Sequence, residues 1–161
     1  MHEFIFVYMP VRLPVGSDLG MTIPLHITFL SWFKTSRTAS EVLALADTAL
    51  SHLSSMRTEV IAEELFGDKH NIHVAILHKT PGLLDLHLKL VASLQTAGVK
   101  LDGRWAGPAQ WRPHATHKAA ARLYIGDRLV VDGIDLIEKH FEDQHRRIVG
   151  SIKLLGPVGR N

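Results

Sequence analysis

The 161-residue sequence predicts an α+β fold in which antiparallel sheets carry two long helices on their outer side. Strand-like runs outnumber helical ones, most neighbouring strand-like runs are joined by turn-length segments, and two stretches show helical periodicity behind capping signals. A length near 160 residues suits a single domain with its own core. At 46% apolar and 21% charged, the composition is that of an ordinary globular protein. No apolar run approaches the ~18 residues needed to cross a bilayer, so no membrane partner is expected.

The elements follow in order. Phe4 to Met9 is an apolar run preceded by Glu3 rather than by a basic residue, so residues 3–9 read as a strand and not as a signal peptide. Pro10 to Pro24, with Gly16 and Gly20, reads as a loop. Residues 25–33 alternate as a strand, with Leu25, Ile27 and Phe29 on one face and His26, Thr28, Leu30 and Trp32 on the other. Thr38-Ala-Ser-Glu41 is a capping box, and the helix behind it is expected to run to about Ser55 on a stripe of Val42, Ala46, Ala49, Leu50 and Leu53.

Residues 58–65 and 71–78 form two further strands around a hairpin-length segment, Phe66 to His70. Thr80-Pro81 is an N-cap followed by proline at the first helical position. The second helix stops at Gly98 and buries Leu83, Leu84, Leu90, Val91 and Leu94. Residues 99–111 read as a loop with two exposed aromatics, Trp105 and Trp111, and residues 112–118 as a strand with Pro113 near its start. The remainder reads as β-hairpins, with Gly159 to Asn161 as a frayed tail.

Charge and residue usage narrow the chemistry. With 18 Lys+Arg against 16 Asp+Glu the formal charge is +2, too small and too dispersed for a broad nucleic-acid surface, so a phosphate ligand must be held locally. The absence of cysteine excludes disulfides, zinc fingers and a thiol nucleophile. Eleven histidines remain.

Two of them sit in matching segments, Pro24-Leu-His26-Ile-Thr28 and Pro113-His114-Ala-Thr116. Residues i and i+2 of a strand share a face, so each segment presents an imidazole beside a hydroxyl. On the second, Arg112, His114, Thr116 and Lys118 form a polar and cationic row. His-x-[Ser/Thr] alone is weak. His52-Leu-Ser54 also fits it but falls on a predicted helix, where i and i+2 diverge by roughly 200°.

Two imidazoles with pKa values near 6.5 can act as base and acid in one displacement. The substrate that suits them is a phosphodiester. Thr28 and Thr116 would bond the non-bridging oxygens, and Arg112 or Lys118 would balance developing charge. A metal site fits less well, because His114 and His117 would face opposite sides of a strand and no carboxylate accompanies them at ligand spacing. His117 reads as structural. Trp105 and Trp111 flank the second segment and are the candidates for stacking a nucleobase, with Trp32 a weaker one; loop anchoring or lobe packing is the alternative.

The paired motifs, separated by about half the chain in a protein of this size, resemble the two-histidine (2H) phosphoesterase superfamily of LigT-like or 2′-5′ RNA ligase-like proteins. The resemblance implies a bilobal fold with pseudo-twofold symmetry, two antiparallel sheets facing a central cleft, and helices outside. It implies hydrolysis or transesterification of 2′,3′-cyclic phosphates, 2′-5′ linkages or cyclic nucleotide phosphodiesters with no metal and no cofactor. It assigns catalysis to His26 and His114 and phosphate binding to Thr28 and Thr116. The chain departs from the pattern at His117, where a hydrophobic residue is expected, and in the placing of basic residues after each motif. The expected partner is a small nucleotide or RNA end; a monomer in the cytoplasm is expected. A non-catalytic module that holds the same ligand is the alternative.

Overall fold

The computed structural model describes residues 1–156. Its elements are β1 (His2–Tyr8), β2 (Ile27–Thr35), α1 (Ala39–Leu50), β3 (Met56–Phe66), β4 (Ile72–Leu77), α2 (Pro81–Thr96), β5 (His114–Thr116), β6 (Arg128–Val131), β7 (Gly133–Lys139) and β8 (Arg146–Lys153). They form two antiparallel four-stranded sheets, ordered β2-β1-β7-β8 and β5-β4-β3-β6. The first sheet joins both ends of the described chain and the second is its middle. Each motif strand, β2 or β5, stands at an edge of its sheet. The predicted α+β fold of two antiparallel sheets with two helices is the observed one. The expected frayed tail lies outside the described residues.

Alternation along β1 explains how the first sheet is covered on both faces. Phe4, Phe6 and Tyr8 point into the main core, while Ile5, Val7 and Met9 point the other way. The main core is one continuous cluster that takes in Phe6, Ile27 and Phe29 of the first sheet, Leu77, Ala115 and Val131 of the second, and residues of both helices. Those helices bury Val42, Ala46 and Leu50 of α1 and Leu83, Leu86, Leu90 and Leu94 of α2.

Both predicted caps are present. Thr38 and Glu41 form the reciprocal capping box, and the Thr80 hydroxyl accepts the Leu83 N–H ahead of Pro81. Helix α1 ends at Leu50, short of Ser55. The following segment is drawn instead to the C-terminal residues, where the Ser55 N–H donates to the Leu155 carbonyl and the Leu155 N–H to that of Leu53. Helix α1 approaches β8 at Gly150, where an added Cβ would run into the Leu43 side chain.

The loop 10–24 is strapped down along the free edge of β8. Gly16 N–H donates to Ile148 O at 2.8 Å, Leu19 N–H to Arg146 O at 2.7 Å, and Arg146 N–H to Gly20 O at 2.8 Å. Its Leu13, Leu19 and Ile23 cover Val7, Ile137 and Ile148. From the same loop, Arg12 Nη2 donates to the fully buried Asp135 carboxylate at 3.0 Å.

Candidate active site

Strand β2 does not alternate throughout. Its register with β1 shifts twice, once between Phe4 and Phe6 and once between Phe6 and Val7, and both shifts insert a residue into β2. Phe29 and Leu30 therefore both enter the main core, as does Phe33, while Thr28, Ser31 and Trp32 lie on the opposite face. The expected grouping of Leu30 with Thr28 fails for this reason. Thr28 is paired with Val7, so its side chain lies on the face away from the helices.

His26 immediately precedes β2 instead of lying within it. Its Nδ1–H donates to the Pro24 carbonyl at 2.8 Å. His114, at the start of β5, makes the same bond to the Arg112 carbonyl at 2.7 Å. A carbonyl only accepts, so both rings carry their proton on Nδ1 when neutral, and neither bond uses Nε2. The His26 pKa is lowered to about 4, chiefly by burial, against which the bond to Pro24 acts, and in smaller part by the Lys118 charge and by repulsion from His114 when that ring is protonated. Burial also lowers that of His114, helped by the Arg112 charge. Both shifts favour the neutral imidazole at pH 7.

Strand β5 covers His114 to Thr116, shorter than the expected 112–118. Ala115 enters the core, so His114 and Thr116 face the other side, in register with Ile76 and Val74 of β4. Edge strands β2 and β5 lie against each other. Between them opens a cavity of about 470 Å³ lined by Thr28, Ser31, Phe66, Trp105, Arg112 and His114 among others. One residue from each motif thus lines one cavity.

Arg112 and Lys118 fall outside the strand, so strand parity does not place them. The Arg112 guanidinium donates to Glu64 Oε2 at 2.6 Å and lies 5.2 Å over the Phe66 ring, which itself sits 4.8 Å from the His114 ring. Its charge is already paired. Lys118 is near enough for its charge to act on His26, and its ammonium has no ion-pair or hydrogen-bond partner among the described residues.

The two loop tryptophans differ. Trp105 is 52% exposed on the cavity rim. Trp111 is 5% exposed, which corrects its expected exposure: one face stacks on His87 at 4.6 Å and 5°, the ring packs 5.5 Å from Phe29, and the indole N–H donates to the Thr28 carbonyl at 3.1 Å. With its ring enclosed, Trp111 meets the cavity as wall and offers a base no open stacking face. Trp32 packs against the small second core and lies beneath Lys139 and Arg146. His117 stacks on His73 at 5.9 Å on the side of β5 away from His114, and among the described residues no cluster of three metal-ligating side chains forms.

Several cavity residues escaped the sequence reading. Ser31 was hidden by the bulges, and Phe66 and His70 reach the cavity from the β3–β4 turn. Phe66 could have been found from register, since it shares a face of β3 with Glu64. A further His-x-Thr, His78-Lys79-Thr80, is placed differently: its hydroxyl is taken up as the α2 cap.

No protein-family model matches the chain, and no curated protein matches it in sequence. Solved structures do. A Thermus thermophilus protein superposes over 97% of this chain and 99% of its own, with a TM-score of 0.65 and 19% identity. LigT of E. coli, solved with 3′-AMP, superposes over 95% of this chain and 98% of its own, with a TM-score of 0.61 and 14% identity. A structure described as a phosphoesterase covers 96% and 99%, with a TM-score of 0.59 and 14% identity. At such identities the likeness is one of fold, and the fold is LigT-like over nearly the whole length.

Proposed function

We propose that this protein is a 2H phosphoesterase that cleaves a small nucleotide or RNA-end phosphodiester, with His26 and His114 as its acid/base pair and no metal in the step. The observation that carries the reading is the matched tether. Each motif histidine is bonded through Nδ1 to the carbonyl two residues behind it, which leaves Nε2 for a substrate. The LigT-like fold and the nucleotide bound to one neighbour, 3′-AMP in E. coli LigT, support the substrate class.

Two neutral rings cannot supply an acid, so the substrate must bring the proton equilibrium with it. A phosphodiester anion between the two motifs raises both imidazole pKa values, and one ring takes a proton. The neutral ring then accepts a proton from water or a ribose hydroxyl as its oxygen bonds to phosphorus. The protonated ring donates its proton to the departing oxygen as that P–O bond breaks. Thr28 and Thr116 hydrogen-bond the non-bridging oxygens, Lys118 supplies an uncommitted cation, and Arg112 contributes once shared with Glu64. Trp105 is the aromatic left for a base.

The test is a hydrolysis panel of 2′,3′-cyclic mononucleotides, 2′-5′ and 3′-5′ dinucleotides and cyclic dinucleotides, with EDTA present, on wild type, His26→Ala and His114→Ala. Turnover by wild type and its loss in both variants is expected. Equal turnover in all three proteins, or saturable binding with no turnover anywhere, overturns the reading.

A further inference from the structure

His87 is a fully buried imidazole on a helix face otherwise made of Leu83, Leu86, Leu90 and Leu94. Burying so polar a ring is costly unless both nitrogens are satisfied. Both are. Nδ1–H donates to the Phe29 carbonyl at 2.7 Å, and Nε2 accepts the Gly107 N–H at 3.0 Å. The first partner only accepts and the second only donates, so a single neutral tautomer fits; burial and the nearby Lys79 charge favour that neutral state.

What those bonds hold is specific to the site. Phe29 is the extra residue of the β2 bulge, lying between the Phe6–Leu30 and Val7–Thr28 pairs, and a bulge residue has no ladder partner on β1. His87 takes its carbonyl. The adjoining carbonyl, that of Thr28, is taken by the indole of Trp111, the ring stacked parallel on His87. The backbone on either side of Phe29 N is thus fixed by two stacked rings, one from α2 and one from the loop preceding the second motif. Trp111 is also joined to Arg112, whose carbonyl holds the His114 ring. Gly107 closes the arrangement: its carbonyl accepts the Trp111 backbone N–H at 3.1 Å, while its own N–H donates to His87 Nε2.

We infer that the stacked His87–Trp111 pair is the spacer that sets Thr28 against His114, so that both motifs grip one phosphate. Neither ring need touch substrate; both are positioning residues. The inference rests on the proposed reaction, but its first readout needs no turnover.

That readout is the titration of the His26 and His114 Cε1–H resonances with and without inorganic phosphate. In wild type, phosphate raises both pKa values together. His87→Phe keeps the stacked ring and removes both hydrogen bonds; phosphate is expected to shift only one histidine. His87→Gln, which retains a donor and an acceptor, is expected to restore the joint shift. The second readout is steady-state hydrolysis of whichever panel member wild type cleaves. His87→Phe is expected to lower kcat by about 10- to 100-fold with KM within about threefold, and His87→Gln to recover most of it. If wild type cleaves nothing on the panel, the proposed reaction fails while the phosphate titration still judges the spacer.

A folded His87→Phe with the wild-type joint shift overturns the inference, as does wild-type kcat where there is turnover. If His87→Phe does not fold, Trp111→Phe, which removes the indole N–H and keeps a smaller aromatic ring against His87, is read in the same two ways. Failure of both variants to fold also overturns it, because the pair would then be core and not spacer.

Discussion

His26 and His114, 88 residues apart in the chain, are oriented by the same hydrogen bond: each donates Nδ1–H to the carbonyl two residues before it, at 2.8 and 2.7 Å. A proline stands at each of those carbonyls: the first is that of Pro24 itself, and the second is that of Arg112, which precedes Pro113. Neither bond uses Nε2, the nitrogen through which both rings act in the proposed reaction. Replacing either histidine by alanine is expected to lower kcat by about 10²- to 10⁴-fold on the best panel substrate. The double variant is expected to fall little further than the weaker single one, because the two act in one step.

Protonation of His26 should be visible in stability. The unfolded ring titrates near 6.5 and the folded one at about 4, so between those values the unfolded chain binds more protons. The contribution of neutral His26 is complete above pH 6.5 and is lost as pH falls toward 4. Urea unfolding at pH 7.5, 6.0 and 4.5 should show a falling midpoint, and His26→Gln should flatten the fall. An unchanged slope in that variant would assign the pH dependence to other groups.

Ligand binding should reverse the same shift. A phosphate anion placed between the motifs favours imidazolium, so binding of a nucleoside monophosphate at pH 6 should take up protons. Calorimetry in two buffers of different ionisation enthalpy measures the uptake; heats that do not depend on the buffer would contradict it.

Thr28 and Thr116 are half-buried, each two residues after its histidine, and neither hydroxyl serves as a helix cap. Thr28→Val and Thr116→Val are each expected to reduce kcat by about 10²- to 10³-fold with little change in melting temperature. The measurement pairs steady-state kinetics with a thermal scan.

Trp105 and Trp111 should separate cleanly. Trp105→Ala is expected to raise KM about tenfold and leave stability unchanged, since stacking contributes about 1–3 kcal/mol per base and the ring is exposed. Trp111→Ala removes a buried ring and should cost roughly 3–5 kcal/mol. Equal effects of the two on KM would contradict the assignment.

Gly150 tests the packing rather than the site. An added methyl meets Leu43 of α1 at less than van der Waals distance, so Gly150→Ala should cost about 1–3 kcal/mol in urea unfolding. Its kinetic constants are expected to stay within twofold of wild type.

The class of fold, the two helix starts and the two His-x-Thr segments are all legible in the linear chain. They are legible because these signals are local: a capping box, a proline after an N-cap, alternation within a strand, and His-x-Thr read at a period of two. Whatever depends on partners distant in the chain emerges only on folding. The bulges in β2, which send Leu30 to the core and Ser31 to the cavity, exist only against β1. The pairing of Arg112 with Glu64, 48 residues away, and the proximity of Lys118 to His26 follow from how the sheets meet. Trp111 read as an exposed aromatic in a glycine-rich loop, and only the arrival of His87 from α2 encloses it. That histidine looked like any other among the eleven, because what distinguishes it is its bond to a bulge carbonyl 58 residues away.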